Sequence, residues 1–410
     1  MTASPRALSP LDVAARGAMS GSVLRRLDWV LLAVVAALVA VGTLLVWSAT
    51  ATRDDLTGGE ATAFATKQLL NVAIGVLLAV LVASTDHRWV RIWTPLVYLA
   101  SLAGLVAVLV PGVGQVINGS QSWLSVGGLS LQPSEFAKLA VIAAIAVLVA
   151  EKSEGSKAGD RLRDIDVAQA LAIAAVPAVL ILRQPDLGTL MVLAATTFGV
   201  IALAGAPRRW LVGLLVLAVG GVVLAVKLQV LAGYQLDRFA AFTNPALDPQ
   251  GAGYNTTQAR IAIGNGGLFG QGLFDGSQTQ SGFVPAQHTD FVFTVAGEEL
   301  GLVGAGAIIV LFGLLLLRAL RIAAHAHDMF GRLAAGGIAC WFGFQAFQNI
   351  GMCLGIMPVT GVPLPLVSYG GTSMFAALMA VGLLQNIHLR TDHTLALGAA
   401  VRSRVTRSRW

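Results

Sequence analysis

Residues 27–48 read LDWVLLAVVAALVAVGTLLVWS, and Asp28 carries the only charged side chain in this run. A helix of about 20 apolar residues crosses the hydrocarbon layer of a bilayer, so the run predicts a membrane-spanning helix. With nine further runs of this kind, the sequence predicts an all-α integral membrane protein with about ten transmembrane helices. The other runs cover approximately residues 69–84, 93–110, 135–150, 167–182, 187–206, 210–228, 293–317, 334–355 and 373–387.

The composition excludes an ordinary soluble protein. Hydrophobic residues make up 56% of the chain and charged residues only 12%, about half the charged fraction of a typical soluble domain. The apolar excess therefore has to face lipid. The two cysteines, Cys340 and Cys353, form neither a disulfide framework nor a zinc-site spacing. Residues 1–26 lack the apolar core of a cleavable signal peptide, so the first span is expected to direct insertion.

The distribution of Lys and Arg predicts the orientation, because these residues are enriched in cytoplasmic loops. With both termini placed inside, the inner segments hold 20 of the 27 Lys and Arg and the outer segments 6, while Lys138 falls within a span. The sequence therefore predicts a cytoplasmic N-terminal tail (1–26), a ten-helix membrane domain (27–390) and a basic cytoplasmic tail (391–410). The large extracytoplasmic loop, 229–290, is predicted to be ordered and to contain a short helix.

Glu135 and Lys138 form a pair of charges at the start of the fourth span. They are three residues apart and share one helix face. Charges within a bilayer are costly unless they are paired or face a cavity. Two interpretations are open: an internal salt bridge, or a Lys138 side chain presented to an anionic lipid headgroup.

Asp186 and Asp290 each open a span on the outer side. Asp186 is well placed to cap its helix, where an acid also suits the helix dipole. Asp290 is open to the same interpretation, but the other residues predicted on the outer side favour a functional role. These residues are Trp123, Lys138, Arg238, Arg260, Gln287, His288 and Thr289.

Two further segments place unusual residues at membrane depth. Glu298 and Glu299 point about 100° apart on their helix, so at least one must turn to a partner within the protein. Structural pairing and a polar cavity are both open. The connection 355–373 has three prolines and no charge. It is predicted to be a re-entrant or surface loop packed against protein, in contact with a lipid tail or with other side chains.

Five groups of motifs follow one another along the chain: SWL at 122–124 with QPSEFAK at 132–138, QPDLGT at 184–189, GYN at 253–255 with IAIG at 261–264, HTDF at 288–291 with GEELG at 297–301, and PLP at 363–365 with SYGG at 368–371. In this order, and among ten spans, they resemble the SEDS family, named for shape, elongation, division and sporulation. The resemblance covers residues 27 to about 390.

Within that family the chain is more similar to the elongation branch, RodA, than to the division branch, FtsW. The stretch GSQTQ at 276–280 before FVP at 283–285 and the short N-terminal tail favour the elongation branch. Two places depart from the family pattern. Ala286 follows Pro285 where the family has a glutamate, and NGSQS at 118–122 stands in place of a Gly-Ala-Arg-like run. No role is assigned to these side chains.

The resemblance implies a peptidoglycan glycosyltransferase that polymerises lipid II into glycan strands at the outer face of the bacterial cytoplasmic membrane, for cell elongation and shape. Undecaprenyl pyrophosphate would be the leaving group, and a class B penicillin-binding protein transpeptidase is the expected partner. The chain has no Walker A motif, so no nucleotide cofactor is expected, and no nucleic-acid partner either. The alternatives are a lipid II flippase and a division-specific, FtsW-type polymerase.

The site hypothesis centres on Asp290, either as the general base for the acceptor hydroxyl or as a ligand of a divalent cation, Mg²⁺ or Mn²⁺. Trp123 is expected to stack on a sugar or to anchor the chain at the membrane interface. Cationic groups would stabilise the leaving pyrophosphate. The predicted substrate-binding residues are Lys138, Trp123, Arg238, Arg260, His288, Glu135 and Ser368.

Overall fold

The computed structural model describes residues 25–117, 120–126, 129–154, 162–227, 242, 244, 248 and 251–407. Helices occupy all ten predicted spans, and the eighth is divided into two. In chain order the helices are α1 Trp29–Thr50, α2 Asp54–Thr57, α3 Ala63–Ser84, α4 His87–Leu109, α5 Pro133–Glu154, α6 Asp164–Arg183, α7 Leu187–Leu203, α8 Arg208–Lys227, α9 Ala252–Asn265, α10 Ser277–Ser281, α11 Val292–Glu299, α12 Gly301–His325, α13 Met329–Leu354 and α14 Gly371–Arg407.

Seven helices of the described part are both long and apolar enough to cross a membrane. They are α1, α3, α4, α5, α6, α12 and α14. Helix α7 is also apolar but has only 17 residues, and α8 and α13 occupy the two remaining predicted spans. The prediction of a helical multi-pass membrane protein is confirmed.

Helix α13 lies at the centre of the bundle, against α5, α7 and α12. Most of its 26 residues are buried, and three buried amides near its outer end bind the 355–370 connection. Gln345 donates to the Pro363 carbonyl, 2.8 Å away, and Gln348 donates to the Thr360 hydroxyl, 2.7 Å away. The bond to Pro363 satisfies a backbone carbonyl that lipid could not, and the bond to Thr360 satisfies a side-chain hydroxyl. The connection is therefore packed against protein, as predicted.

The eighth span is interrupted between α11 and α12, at Gly301. Gly301 has a φ of 66°, a left-handed conformation that glycine adopts without steric cost. The outer-loop segment 266–272 packs against the break. Its carbonyl at Gly267 accepts from the Leu302 amide (2.9 Å), and its amide at Gln271 donates to the Glu298 carbonyl (3.0 Å). The loop thus supplies partners for backbone groups that the interruption leaves without helical bonds.

A small antiparallel sheet, absent from the sequence predictions, covers the outer ends of α4 and α6. Its strands are β1 Gly114–Ile117, β2 Ser120–Val126 and β3 Leu129–Leu131, in that spatial order. Ser120 of β2 donates to the Gln184 carbonyl after α6 (2.7 Å), and the Gln121 amide donates to the Val108 carbonyl of α4 (2.9 Å). The sheet is held in a fixed position beside the start of α7.

The outer loop is ordered where the structure describes it. The predicted short helix at 256–263 lies within α9, and α10 follows it. Residues 1–24 of the N-terminal tail and 228–241 of the loop lie outside the described residues. At the other terminus, α14 continues through residue 407, so the predicted tail begins as an extension of the last helix.

Candidate functional site

A cleft of about 330 Å³ lies where the loops predicted to be outside meet. We call this the outer end of the bundle. Its walls come from the β-sheet, the start of α7, the segment before α11 and the 355–373 connection. The lining residues are Ser120, Ser122, Trp123, Gln132, Pro185, Asp186, Leu187, Ala286, His288, Thr289, Asp290, Thr360, Gly361, Pro363, Tyr369, Gly370 and Ser373.

Asp290 lines this cleft and is half-buried. Helix α11 begins at Val292, with Phe291 at the N-cap position, so Asp290 does not occupy that cap. A methyl group on Gly361 would lie 3.4 Å from Asp290 Oδ2, which shows that the carboxylate faces the 355–373 connection. The capping interpretation of Asp290 does not apply, and its functional interpretation stays a prediction.

Asp186, the other acid in the cleft, caps α7 as predicted. Its carboxylate accepts from the Thr189 amide (3.0 Å), the Thr189 hydroxyl (2.8 Å) and the Gln132 side-chain amide (3.1 Å). These bonds hold the carboxylate in one orientation. The two acids of the cleft therefore differ: Asp186 is bound into the helix start, whereas Asp290 lies in the segment before its helix.

His288 packs its ring among aromatic side chains at the cleft wall. Its ring centroid lies 5.0 Å from that of Phe64 and 5.7 Å from that of Tyr369. Burial, followed by the positive charge of Arg53, lowers the pKa of His288 to about 4. The imidazole is therefore neutral at physiological pH and can donate or accept one hydrogen bond.

Glu135 and Lys138 lie in the core and do not line the cleft. Lys138 Nζ lies 2.7 Å from Glu135 Oε1, with both side chains almost fully buried. The same ammonium donates to Gln345 Oε1 at 2.8 Å and lies 5.0 Å from the Trp341 ring centroid. The structure contains the internal salt bridge, so a direct contact between Lys138 and a headgroup would require Nζ to leave both partners.

The remaining predicted residues divide between the cleft and its surroundings. Trp123, on β2, lines the cleft. Ser368 is buried, and its hydroxyl accepts from the Leu364 amide at 2.8 Å, which stabilises the loop. Arg260 is exposed on α9, with its side chain over Gly355 and outside the cleft lining. Arg238 lies outside the described residues.

Glu298 and Glu299 are structural anchors for the outer loop. Glu298 accepts from the backbone amides of Gln278 (2.7 Å) and Thr279 (2.9 Å). Glu299 accepts from the Ser48 hydroxyl of α1 at 2.6 Å. The two acids thus join α10 and α1 to the base of the segment that carries Asp290, and structural pairing is the interpretation that the contacts support.

Several cleft residues were not predicted. Gln132 and Tyr369 line it and lie within the motifs at 132–138 and 368–371, and Thr360 and Ser373 line it from the 355–373 connection. The signal was therefore present, but membership of a motif does not reveal which side chains face a cavity. Arg53, whose charge acts on His288, follows α1 in a short polar loop without any motif.

The described residues contain no group of three or more His, Cys, Asp or Glu side chains that could hold a metal ion. The cleft offers Asp290 and the hydrogen-bonded Asp186. Mg²⁺ in phosphate chemistry is commonly held by one or two carboxylates together with substrate phosphates and water. Asp290 would be the protein ligand of a cation that binds together with a pyrophosphate.

Fold and site together define a class: a helical multi-pass membrane protein with a polar, acid-containing cleft at the outer ends of its spans. Residues 28–393 match the FTSW_RODA_SPOVE family of cell cycle proteins. The chain belongs to this family, and the resemblance to SEDS proteins is confirmed. It is a multi-pass protein of the cytoplasmic membrane.

Two relatives and one solved structure match over most of their length. The chain is 40% identical to stage V sporulation protein E of Bacillus subtilis over 360 residues, which are 88% of this chain and 96% of that protein. It is 37% identical to the peptidoglycan glycosyltransferase MrdB of Escherichia coli over 362 residues, 88% and 93% of the two chains. A solved structure on the coordination of polymerization and crosslinking by a peptidoglycan synthase complex matches with a TM-score of 0.73 and 34% identity, covering 89% of this chain and 98% of that chain.

Proposed function

We propose that this chain is a peptidoglycan glycosyltransferase that polymerises lipid II in the outer cleft. The observation that carries the proposal is Asp290, a half-buried carboxylate in the cleft that is not the cap of its helix. A relative at 37% identity bears the name peptidoglycan glycosyltransferase, which supports the reaction class. Four separate parts of the chain meet around Asp290, as expected for a site that positions two large substrates.

In the proposed reaction, Asp290 is the general base. It accepts the proton of the acceptor sugar hydroxyl while the hydroxyl oxygen attacks the anomeric carbon of the donor. A carbon–oxygen bond forms between the sugars, and the bond to undecaprenyl pyrophosphate breaks, with the electron pair leaving on the pyrophosphate. No nucleotide is needed, because the lipid pyrophosphate supplies the leaving group.

Trp123 and His288 would position the sugars. The Trp123 indole offers an apolar face suited to a sugar ring, and its place on the cleft wall favours this role over that of an interface anchor. His288 is neutral because its pKa is lowered to about 4. It would therefore contribute a hydrogen bond to a sugar hydroxyl rather than a charge to the pyrophosphate.

Neutralisation of the leaving pyrophosphate needs positive charge from outside the cleft walls. No Lys or Arg occurs among the described residues that line the cleft. Arg260 on α9 and Arg238 in the outer loop remain candidates for this task, by analogy with cationic groups that stabilise developing phosphate charge. A divalent cation held by Asp290 and the pyrophosphate would supply the same stabilisation when bound.

Partner and cellular role extend this proposal. The matched chain from a peptidoglycan synthase complex supports assembly with a class B penicillin-binding protein, whose transpeptidase activity would crosslink the new strands. We further propose the elongation role, on the strength of the GSQTQ stretch at 276–280. Relatives with a sporulation name and with a glycosyltransferase name match at 40% and 37% identity, so overall similarity does not select the role.

A flippase would need a polar path between the two ends of the bundle. The intramembrane charges that could line such a path are instead paired with protein groups: Lys138 with Glu135, and Glu298 with backbone amides.

The test that separates an enzyme from a flippase is conversion of lipid II by the purified chain in detergent, where there are no two membrane sides. Glycan polymer from wild type and none from Asp290→Ala support the enzyme. Wild-type protein that makes no polymer, yet moves lipid II across vesicles, would overturn it.

A further inference from the structure

A second polar cavity, of about 500 Å³, lies at the end of the bundle opposite the cleft, which we call the inner end. It is formed by the start of α1, the last two turns of α12 and the part of α14 near residue 390. We refer to it as the basic cavity. Its lining residues are Asp28, Arg318, Arg321, Ile322, His325, His388 and Thr391.

The carboxylate of Asp28, the one acid that lines the basic cavity, accepts hydrogen bonds from neighbouring groups. Asp28 is 3% exposed, caps α1 through the Leu31 amide (3.0 Å) and accepts from Arg318 Nε at 3.0 Å. Arg318 and Asp28 therefore neutralise each other. The remaining charged or ionisable side chains of the lining, Arg321, His325 and His388, carry positive charge or none.

Arg321 is the exposed cation of this set. Among the described residues, no side chain forms an ion pair or hydrogen bond with its guanidinium. The guanidinium presents five donors in a planar fork that suits phosphate oxygens. Its position therefore offers a binding group for a phosphate that the protein itself does not supply.

The position of Arg321 on α12 identifies the source of the phosphate. Val310, Leu314 and Leu317 are 61%, 41% and 59% exposed, and their three- and four-residue spacing forms one face of the helix that must lie against lipid. Arg321 follows Leu317 by four residues and continues that face. A cation one turn beyond a lipid-facing stripe lies at the level of the headgroups.

We propose that the basic cavity binds the phosphate of an anionic phospholipid of the cytoplasmic leaflet, with Arg321 as the ligand. The lipid-facing stripe that leads to Arg321 favours a lipid phosphate over the phosphate of a soluble nucleotide. The site lies at the opposite end of the bundle from Asp290, so it stands independently of the proposed reaction.

The test is native mass spectrometry of the purified full chain, equilibrated with phosphatidylglycerol or with phosphatidylcholine. Wild-type protein is expected to retain phosphatidylglycerol in preference. Arg321→Gln is expected to retain about fivefold less. Arg332→Gln is the matched control, because Arg332 is an exposed arginine near the start of α13 and outside the cavity. It is expected to behave as wild type.

Three results would overturn the proposal. Equal retention by wild type and Arg321→Gln would remove Arg321 as a ligand. Equal losses in Arg321→Gln and Arg332→Gln would indicate general surface charge rather than a cavity. Inorganic phosphate that displaces phosphatidylglycerol from wild type at equimolar concentration would indicate a soluble ligand instead of a lipid, whereas retention in its presence supports the lipid.

Discussion

The side-chain amide of Asn349 donates a hydrogen bond 2.7 Å long to the main-chain carbonyl of Asp290. The same nitrogen donates to the Val362 carbonyl, also at 2.7 Å. Asn349 is fully buried on α13, so a rigid central helix joins the segment carrying the proposed base to the connection on the opposite cleft wall. Together with the Tyr369 amide, which donates to the His288 carbonyl at 2.9 Å, this side chain fixes the distance between the two walls.

Asn349→Ala should lower both stability and the polymerisation rate. Each orphaned carbonyl costs about 1–3 kcal/mol, and a displaced base loses its alignment with the acceptor. Asn386→Ala is the matched control, since Asn386 is equally buried and donates to the Val82, Ala83 and Thr85 carbonyls at the inner end. It should lower the thermal midpoint similarly while the rate per folded molecule stays at the wild-type level. Equal rates for both variants would contradict the positioning role.

Gly361→Ala should impair the reaction more than the fold. Gly361 has a φ of 70°, and a methyl group there would lie 3.4 Å from Asp290 Oδ2. The left-handed conformation costs an alanine about 1–2 kcal/mol. Gly58→Ala carries the same strain, with a φ of 65° and nothing within 4 Å of the added methyl. Steady-state rates should separate the two variants: a decrease in Gly361→Ala alone is expected, and a similar decrease in both would remove the Asp290 contact as its cause.

Lys138→Met tests whether this lysine serves the fold or the substrate. Removal of the cation leaves Glu135 buried without its partner, which should cost about 3–5 kcal/mol. Adding Glu135→Gln should restore most of that stability, because no buried charge remains. If the pair is structural, the double variant polymerises lipid II with a normal dependence on lipid II concentration. A stable double variant with a strongly raised KM would show that Lys138 contacts the donor after all.

How much of this architecture the sequence predicts depends on the range of the interaction. Hydropathy locates the spans, and the three-residue spacing of Glu135 and Lys138 indicates their ion pair. Hydropathy and spacing are both local properties of the sequence. The interruption at Gly301 is missed, because the bonds that compensate for it come from 266–272, a segment about 30 residues away in the sequence. The β-sheet is missed because its strands have four, seven and three residues in a Gly- and Ser-rich loop.

The site shows the same limit. His288, Trp123 and Asp290 line one cleft, as predicted. They could be predicted because polar and aromatic residues near span ends stand out in an apolar sequence. Arg260 was included only because it lies on the outer side, which does not determine what its side chain contacts. Ser368 was included by resemblance, yet its hydroxyl binds the Leu364 amide. Contacts such as Lys138 with Gln345, 207 residues apart, follow from packing alone.

His288 should make stability depend on pH in a defined direction. Its pKa is lowered from 6.5 to about 4 in the folded chain. Between these values the unfolded chain binds a proton that the folded chain does not, so the free energy of unfolding falls as pH decreases, by up to roughly 1.4 kcal/mol per pH unit. Above pH 6.5 the imidazole is neutral in both states, so the free energy of unfolding no longer depends on pH through His288. Thermal midpoints of wild type and His288→Gln between pH 4.5 and 7.5 should show a shallower slope for the variant, and parallel curves would refute the buried neutral imidazole.

Asp290 is proposed to remove the acceptor proton, and Asp290→Asn tests this role most directly. Asparagine keeps the size of the side chain but cannot act as the base, and loss of a general base lowers a rate by about 10²–10⁴-fold. The measurement is the initial rate of lipid II polymerisation by purified wild type and Asp290→Asn in detergent, with the thermal midpoint recorded for both. A rate reduced at least about 100-fold at an unchanged midpoint is the predicted result. Polymerisation by Asp290→Asn at the wild-type rate would contradict it.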